Sequence, residues 1–212
     1  MKPITIFTGA TGLNIVEDPV RIPTQRDGKS DLQVAVNVSI DQSYRVSSRK
    51  GTNKVQNGDF HSLFCDGGDC FVVKDDALYQ VAGDMSLTGI RSGLTINARM
   101  SFCQVGDRTY YSNGYELGWI KDGISKVWQI GTYSGPETNK IFSGPMVGHH
   151  LTEFAGRIFI SQENVLWWSE LFDFGLFEQA ASFVQFHTKI ILLEPVTSGM
   201  FVSTQKNTYF LT

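Results

Sequence analysis

The segment from His61 to Val81, HSLFCDGGDCFVVKDDALYQV, recurs in outline three more times, and that recurrence limits the folds open to this chain. It reads as an apolar strand, a Gly-Gly turn, a second strand, an acidic turn and a third strand. Arg99 to Ile120, His150 to Glu170 and, less tidily, Ile190 to Thr212 follow the same plan. The turn glycines Gly68, Gly106, Gly156 and Gly199 are spaced by 38, 50 and 43 residues. A period of this size belongs to the blade of a β-propeller, one small antiparallel sheet repeated around an axis. An irregular β-sandwich with the same rhythm is the alternative.

Local chemistry supports the hairpins. Glycine takes positive φ without a steric penalty, so a glycine between two β-rich runs marks a turn. Asp75-Asp76, Asn113-Gly114 and Glu163-Asn164 stand where the second hairpin of each copy would turn, and Asn and Asp suit that place. Between the turns lie Phe71-Val72-Val73, Thr109-Tyr110-Tyr111 and Ile158-Phe159-Ile160, aromatic and β-branched residues that favour strands. The expected fold is all-β, with propeller-like antiparallel repeats over 31–212 and units near 61–81, 99–120, 150–170 and 190–212. Four blades is the small end of the propeller range, so an incomplete or open ring stays in view.

Residues 1–30 imitate the start of a dinucleotide-binding fold, with a strand followed by Gly9-Ala10-Thr11-Gly12. That fold needs a third glycine and then a helix whose N-terminus holds the pyrophosphate. Ile15 occupies the third position, and Pro19 and Pro23 break the helix. An extended N-terminal arm over 1–30 is expected instead. Residues 31–56 predict two strands joined by a turn. Val34, Val36, Val38 and Ile40 alternate with polar or small residues, and Asp41-Gln42-Ser43 turns the chain. Arg45, Arg49 and Lys50 on this hairpin form the densest cationic cluster; it reads as a solvated face or as a contact with an acidic partner.

Lys121 to Gly148 is a long, turn-rich connection carrying Trp128, of the kind that more often serves function than idles. Leu171 to His187 holds five phenylalanines, and a single helical turn is expected over Phe177–Ser182. Thr208 to Thr212 is a strand with no cap or turn after it. The expectation is that the natural product is longer or that another chain completes the sheet.

Composition removes several classes. Net charge is −3, so no global basic field draws the protein to nucleic acid. No apolar run reaches membrane-spanning length, and the N-terminus does not read as a signal peptide. Cys65, Cys70 and Cys103 are expected to be free thiols made in a reducing cytoplasm. With His61, His149, His150 and His187 they are the candidate metal ligands. Cys65 and Cys103 follow Phe64 and Phe102 at the same place in two repeats, which marks packing positions, so no metal is expected. Glu153, Glu163, Glu170, Asp173 and Glu178 include no marked catalytic pair, and nucleophile-elbow and phosphate-loop motifs are absent. The reading is of a protein with no catalytic residues and no cofactor. Trp167-Trp168 with the phenylalanine-rich run suggest a sugar-stacking platform, but neighbouring strand residues point to opposite faces, so only one Trp ring can serve a given face, and blade-to-blade packing is the simpler reading of most of these aromatics.

The run Val36-Asn37-Val38-Ser39-Ile40-Asp41, followed by Arg45-Val46 and Arg49-Lys50-Gly51-Thr52, resembles the leading segment of tailed-bacteriophage virion proteins. In these, a VNVxID…RVxxRxGT stretch precedes propeller-like repeats. The later pieces FHSLFCDGGDCFVVKDDALYQV, ARMSFCQVGDRTYYSNG, LWWSELFDFGLFEQAASFVQF and PVTSGMFVSTQKNTYFLT are similar to the repeats of the same family. The resemblance implies a structural part of a phage tail or neck, related in architecture to podophage tail-nozzle and stabilisation proteins. It implies a homo-oligomeric ring in the virion that contacts other tail or neck proteins, with no membrane and no sequence-specific nucleic acid partner. Candidate interface residues are Arg45, Arg49, Lys50, Trp128, Trp167, Trp168 and Tyr209. A carbohydrate- or receptor-binding module at a tail tip, or a propeller glycosidase, are the competing classes.

Overall fold

The computed structural model describes residues 9–14, 16, 29–32, 34–136 and 139–212. The chain divides into two compact units, Met1–Val55 and Gln56–Thr212. All regular structure in the described residues is β; none is helical.

In the first unit, Gly9–Leu13 runs parallel to Lys29–Leu32, and Val38–Ile40 pairs antiparallel with Val46–Ser48. The Ala10 N–H donates to the Tyr44 carbonyl at 2.9 Å and joins the two pairs. Gly9 has no room for a side chain there, because a Cβ would strike the Tyr44 backbone. The glycine run that imitates a nucleotide-binding turn is therefore itself a strand. Most of the expected arm lies outside the described residues, and where it is described it is paired. The expected strand over Val34–Ile40 shortens to Val38–Ile40, because Asn37 takes a left-handed φ of 55° and ends the extended run. Asp41 closes the hairpin, its Oδ1 accepting the N–H groups of Ser43 at 2.8 Å and Arg45 at 3.0 Å. Such a side-chain-to-backbone turn is what places Asp there. Arg45, Arg49 and Lys50 are all exposed.

The second unit is a four-blade β-propeller arrangement. The first sheet is Phe60–Asp66, Asp69–Lys74, Ala77–Val81 and Leu87–Arg91. The second is Ser101–Val105, Arg108–Ser112, Leu117–Lys121 and Ile124–Lys126. The third is His150–Phe154, Arg157–Gln162, Val165–Trp168 and Phe183–Gln185, and the fourth has Ile190–Val196, Gly199–Thr204 and Thr208–Leu211. All four are antiparallel meanders; in the first three the first turn falls at the glycine that marks the repeat, whereas in the fourth it falls at 197–198 and Gly199 opens the next strand. Gly67 and Gly68 both have positive φ, 59° and 99°, as a tight two-residue hairpin requires. Between the third and fourth strands of the third sheet the chain makes an excursion, where Phe177–Glu178 pairs with Phe142–Ser143. The expected helical turn is thus a short strand followed by a turn, which the Ser182 N–H closes onto the Glu178 carbonyl at 3.0 Å.

Alternation within each strand puts one face of every sheet against the next. Phe71, Val73 and Leu78 of the first sheet pack on Met100, Tyr111 and Ile120. Cys103 and Tyr110 pack with Leu151, Ile158, Ile160 and Phe177, and Leu166 packs with Ile190, Leu193, Met200 and Val202. Three cores thus join four sheets in series. Among the described residues, no hydrophobic cluster joins the fourth sheet back to the first.

Cys65 and Cys70 sit directly opposite each other across the first hairpin and form a disulfide. This corrects the expectation of three free thiols, since only Cys103 is free. Cys103 is buried, and burial first, with Glu153 adding to it, pushes its thiol pKa up to about 12. A thiol so placed is a small core residue and not a nucleophile.

Candidate functional site

A cleft of about 610 Å³ lies between strands of the second sheet and the excursion of the third. Its wall begins with register. Tyr110, Trp119 and Lys126 face one another across three adjacent strands and point to one side of the sheet. Arg108, two residues before Tyr110, shares that side by the period of a strand. The Arg108 guanidinium lies 4.5 Å from the Trp119 ring centre, and the Lys126 ammonium lies 5.3 Å from it. Such cation–π contacts hold charge over an aromatic face without neutralising it.

The floor is formed by Trp128 and by residues 172–175. Trp128 is only 5% exposed; its indole N–H donates to the Phe174 carbonyl at 2.9 Å, and its ring lies 4.7 Å from Tyr110. Gly131 and Gly175 let two backbone segments touch. The Gly131 N–H donates to the Gly175 carbonyl at 3.0 Å, and a Cβ on Gly175 would stand 2.7 Å from the Gly131 nitrogen. Asp173 also lines the cleft, its Oδ1 accepting the Gly175 N–H at 3.3 Å.

Charge in the cleft is uneven. Asp107 is hydrogen-bonded to Lys121, which with Arg108 holds its carboxyl below the usual range. Arg108 lies 3.8 Å from that same carboxylate, a looser contact. Lys126 has no carboxylate partner among the described residues. Burial raises the Tyr110 phenol pKa, with the adjacent Arg108 guanidinium opposing it, so the hydroxyl stays neutral.

A second, apolar groove of about 370 Å³ separates the third and fourth sheets, lined by Phe154, Phe159, Trp168, Val184, Met200 and Leu211. Beside it, Thr208–Leu211 is the edge of a sheet with three strands where the other three have four. The far face of that sheet is open and mostly apolar, with the exposed Glu194 opposite Phe201. Phe201 and Phe210 are cross-strand partners with ring centres 4.8 Å apart, exposed by 41% and 44%, and Ile191, Leu192 and Val196 are exposed around them.

The residues singled out from sequence are dispersed. Trp167 faces the second sheet and stacks on Phe183 at 5.0 Å, while Trp168 lines the apolar groove, so the two adjacent rings do go to opposite faces. Tyr209 packs on Phe186 at 5.0 Å. Of the seven candidates only Trp128 reaches the large cleft, as its floor. Among the carboxylates, Asp173 reaches the cleft, whereas Glu170 and Glu178 share Lys140 at 3.8 and 3.6 Å. The sequence alone does not single out Arg108, Trp119 or Lys126, whereas Phe172 belongs to the phenylalanine-rich run read with Trp167-Trp168 as a sugar-stacking platform. The period-two placement of Arg108 with Tyr110, and of Trp119 opposite both Tyr110 and Lys126, was the available signal.

No protein-family model matches the chain, and no curated protein matches it in sequence. A solved structure that it resembles is the crystal structure of Myxococcus xanthus glutaminyl cyclase, with 16% identity and a TM-score of 0.40 over 73% of this chain. The match spans 66% of that protein's length. This finding corrects the expectation of a protein without enzymatic activity, because the matched protein is an enzyme. That expectation is withdrawn. A likeness this distant assigns no reaction to the present chain.

Proposed function

We propose that the chain is a structural component of a bacteriophage tail or neck, working through protein–protein interfaces made by its sheets. The observation that carries this reading is the exposed apolar side chains on the fourth sheet, Phe201 and Phe210 with Ile191, Leu192 and Val196. Inside the chain, each of the first three sheets buries one face against the next. Among the described residues, no hydrophobic cluster covers the other face of the fourth. The outer face of the first sheet offers Phe60, Tyr79, Val81 and Leu87, exposed or half-buried. Fourth sheet on first sheet of a second copy continues the stacking head to tail, a heterologous contact that closes into a ring when its rotation allows. The likeness of residues 36–52 to the leading segment of tail proteins directs the choice of assembly.

The size of the patch fits this role. Five side chains with about two-fifths to a half of their surface open present on the order of 400 Å² of apolar area, within the range of a functional patch. At about 25 cal/mol per Å² its burial is worth roughly 10 kcal/mol before the costs of association, which are of similar size. One contact alone is weak, and ring closure multiplies it.

The test is the particle. Mass spectrometry of purified virions should find the chain in stoichiometric amount, and a folded Phe201→Asp, Phe210→Asp variant should be depleted at least ~10-fold. Absence of the wild-type chain from particles refutes the tail role, and undiminished incorporation of the variant refutes this face as the contact.

A further inference from the structure

We infer that the cleft between the second and third sheets is a binding site for an anionic saccharide, one acidic sugar unit within a glycan. The inference stands independently of the assembly role, since it uses different residues on different sheets.

Four observations converge on this ligand. Arg108 and Lys126 bring two positive charges over one aromatic ring, and Asp173 brings one negative charge to the same cleft. The balance of one positive charge suits one carboxylate, that of a single acidic sugar unit. A polyanion such as a nucleic acid strand would meet Asp173 and a chain of net charge −3. The volume of about 610 Å³ is that of a small-ligand site and large for a bare ion. Asp173 accepts hydrogen bonds only, which suits sugar hydroxyls, and its negative charge disfavours a bare inorganic anion.

The fourth observation is Phe172, which lines the cleft and is 76% exposed. Its backbone is left-handed, φ 56°, a conformation that costs a bulky residue free energy. The conformation is over-determined. The Phe172 N–H donates to the Gly156 carbonyl at 2.8 Å, and its ring packs so closely over Gly156 that a Cβ there would lie 2.7 Å from it. A strained backbone that holds an aromatic ring in solvent does nothing for the core. It does present a rigid apolar plate at the cleft, on which the C–H face of a sugar can lie. The acid group then reaches Arg108 and Lys126 over Trp119, and the hydroxyls reach Asp173.

The experiment follows indole fluorescence and calorimetric heat on the full chain with four probes: digalacturonate, its neutral methyl ester, glucose 6-phosphate and inorganic phosphate. Digalacturonate is expected to bind, and the neutral ester at least ~10-fold more weakly, the value of losing one charge-assisted contact. Lys126→Gln should weaken digalacturonate by a similar ~10-fold, and Phe172→Ala, a change at an exposed ring, should weaken it by ~5-fold or more. Lys189→Gln, outside the cleft, should leave it unchanged. Equal, Phe172-dependent binding of the sugar phosphate supports the site and identifies the acid group as either kind. Inorganic phosphate binding as well as the sugars, with no effect of Phe172→Ala, overturns the saccharide assignment. So does the absence of binding by any saccharide at about 10 mM, or an unchanged affinity in both cleft variants.

Discussion

Ser112 offers the sharpest test of how the second and third sheets are held together. Its side chain is fully buried, at 0% exposure, and its hydroxyl donates to the Gly148 carbonyl at 2.7 Å while accepting the Gly148 N–H at 3.2 Å. One atom thus satisfies both backbone polar groups of a buried glycine 36 residues away. No closer element can replace it, because Gly148 is wedged against Ile160 and the Ser161 carbonyl. Ser112→Ala removes the oxygen with almost no change in shape, so the cost is that of a buried N–H and C=O left unpaired. At about 1–3 kcal/mol for each such group, less some relaxation, the loss is ~2–4 kcal/mol. For a domain of this size it lowers the thermal midpoint by roughly 5–15 °C. Ser203→Ala is the control: its hydroxyl meets Thr208 Oγ1 at 2.9 Å in an exposed setting, where both partners turn to water and the cost is ~0.5 kcal/mol. Urea unfolding monitored by tryptophan fluorescence gives both values. If the two variants fall within about 0.5 kcal/mol of each other, the claim that this hydroxyl ties the sheets is wrong.

Two further outcomes follow from the same packing. Gly118 pairs with Tyr111 across the second sheet, and a Cβ there would stand 2.6 Å from the Tyr111 ring carbon Cζ and 2.7 Å from the Lys126 carbonyl; Gly118→Ala should cost ~1–3 kcal/mol, read as a lowered urea midpoint. Acid should destabilise the protein in two stages. Burial, aided by His149 and Lys189, lowers the His150 pKa; the unfolded chain therefore binds that proton first, and stability falls as pH drops below about 6.5. Burial raises the Glu116 pKa, but hydrogen bonds from Thr95 and Asn113, with Arg91 nearby, outweigh it. This lowered carboxyl gives stability present above about 4.3 and lost as pH falls through its folded value. His150→Gln should flatten only the first stage and Glu116→Gln only the second, in unfolding curves taken from pH 7 to 3; an unchanged profile in either variant sinks its assignment.

The repeat was legible because its signal is local. A two-residue turn demands positive φ, and Gly67-Gly68 advertises it; so does the opposite facing of Trp167 and Trp168, fixed by the two-residue period of a strand. What alternation cannot supply is a partner. Val34 and Val36 have the strand pattern and remain outside a strand, highly exposed, because pairing begins only after Asn37. The disulfide was half legible, since the hairpin placing Cys65 opposite Cys70 could be read, whereas their covalent bond could not. The cleft was the least legible feature. Arg108 and Trp119 lie on neighbouring strands, but Asp173 and Phe172 arrive from an excursion more than fifty residues later, so only the tertiary fold brings them to one place.

That excursion explains why the cleft and the open face are separate features. In the third sheet, the chain leaves after Trp168 and returns at Phe183, and the intervening residues pair with Phe142–Ser143. The fourth strand of that sheet is thereby placed only after the chain has passed beside the second sheet, where Trp128 donates to Phe174 and anchors it. The detour fills the outer gap between two blades with backbone and aromatic rings, and leaves a polar hollow where the loop cannot close over Trp119. Beside the three described strands of the fourth sheet the opening is instead an apolar groove. An exposed apolar face recognises another sheet through burial. A charged aromatic hollow recognises a small polar ligand. Changing Phe201 and Phe210 should therefore leave saccharide binding intact, and changing Lys126 should leave particle incorporation intact. If either variant lost both properties, the two would have to be parts of one site.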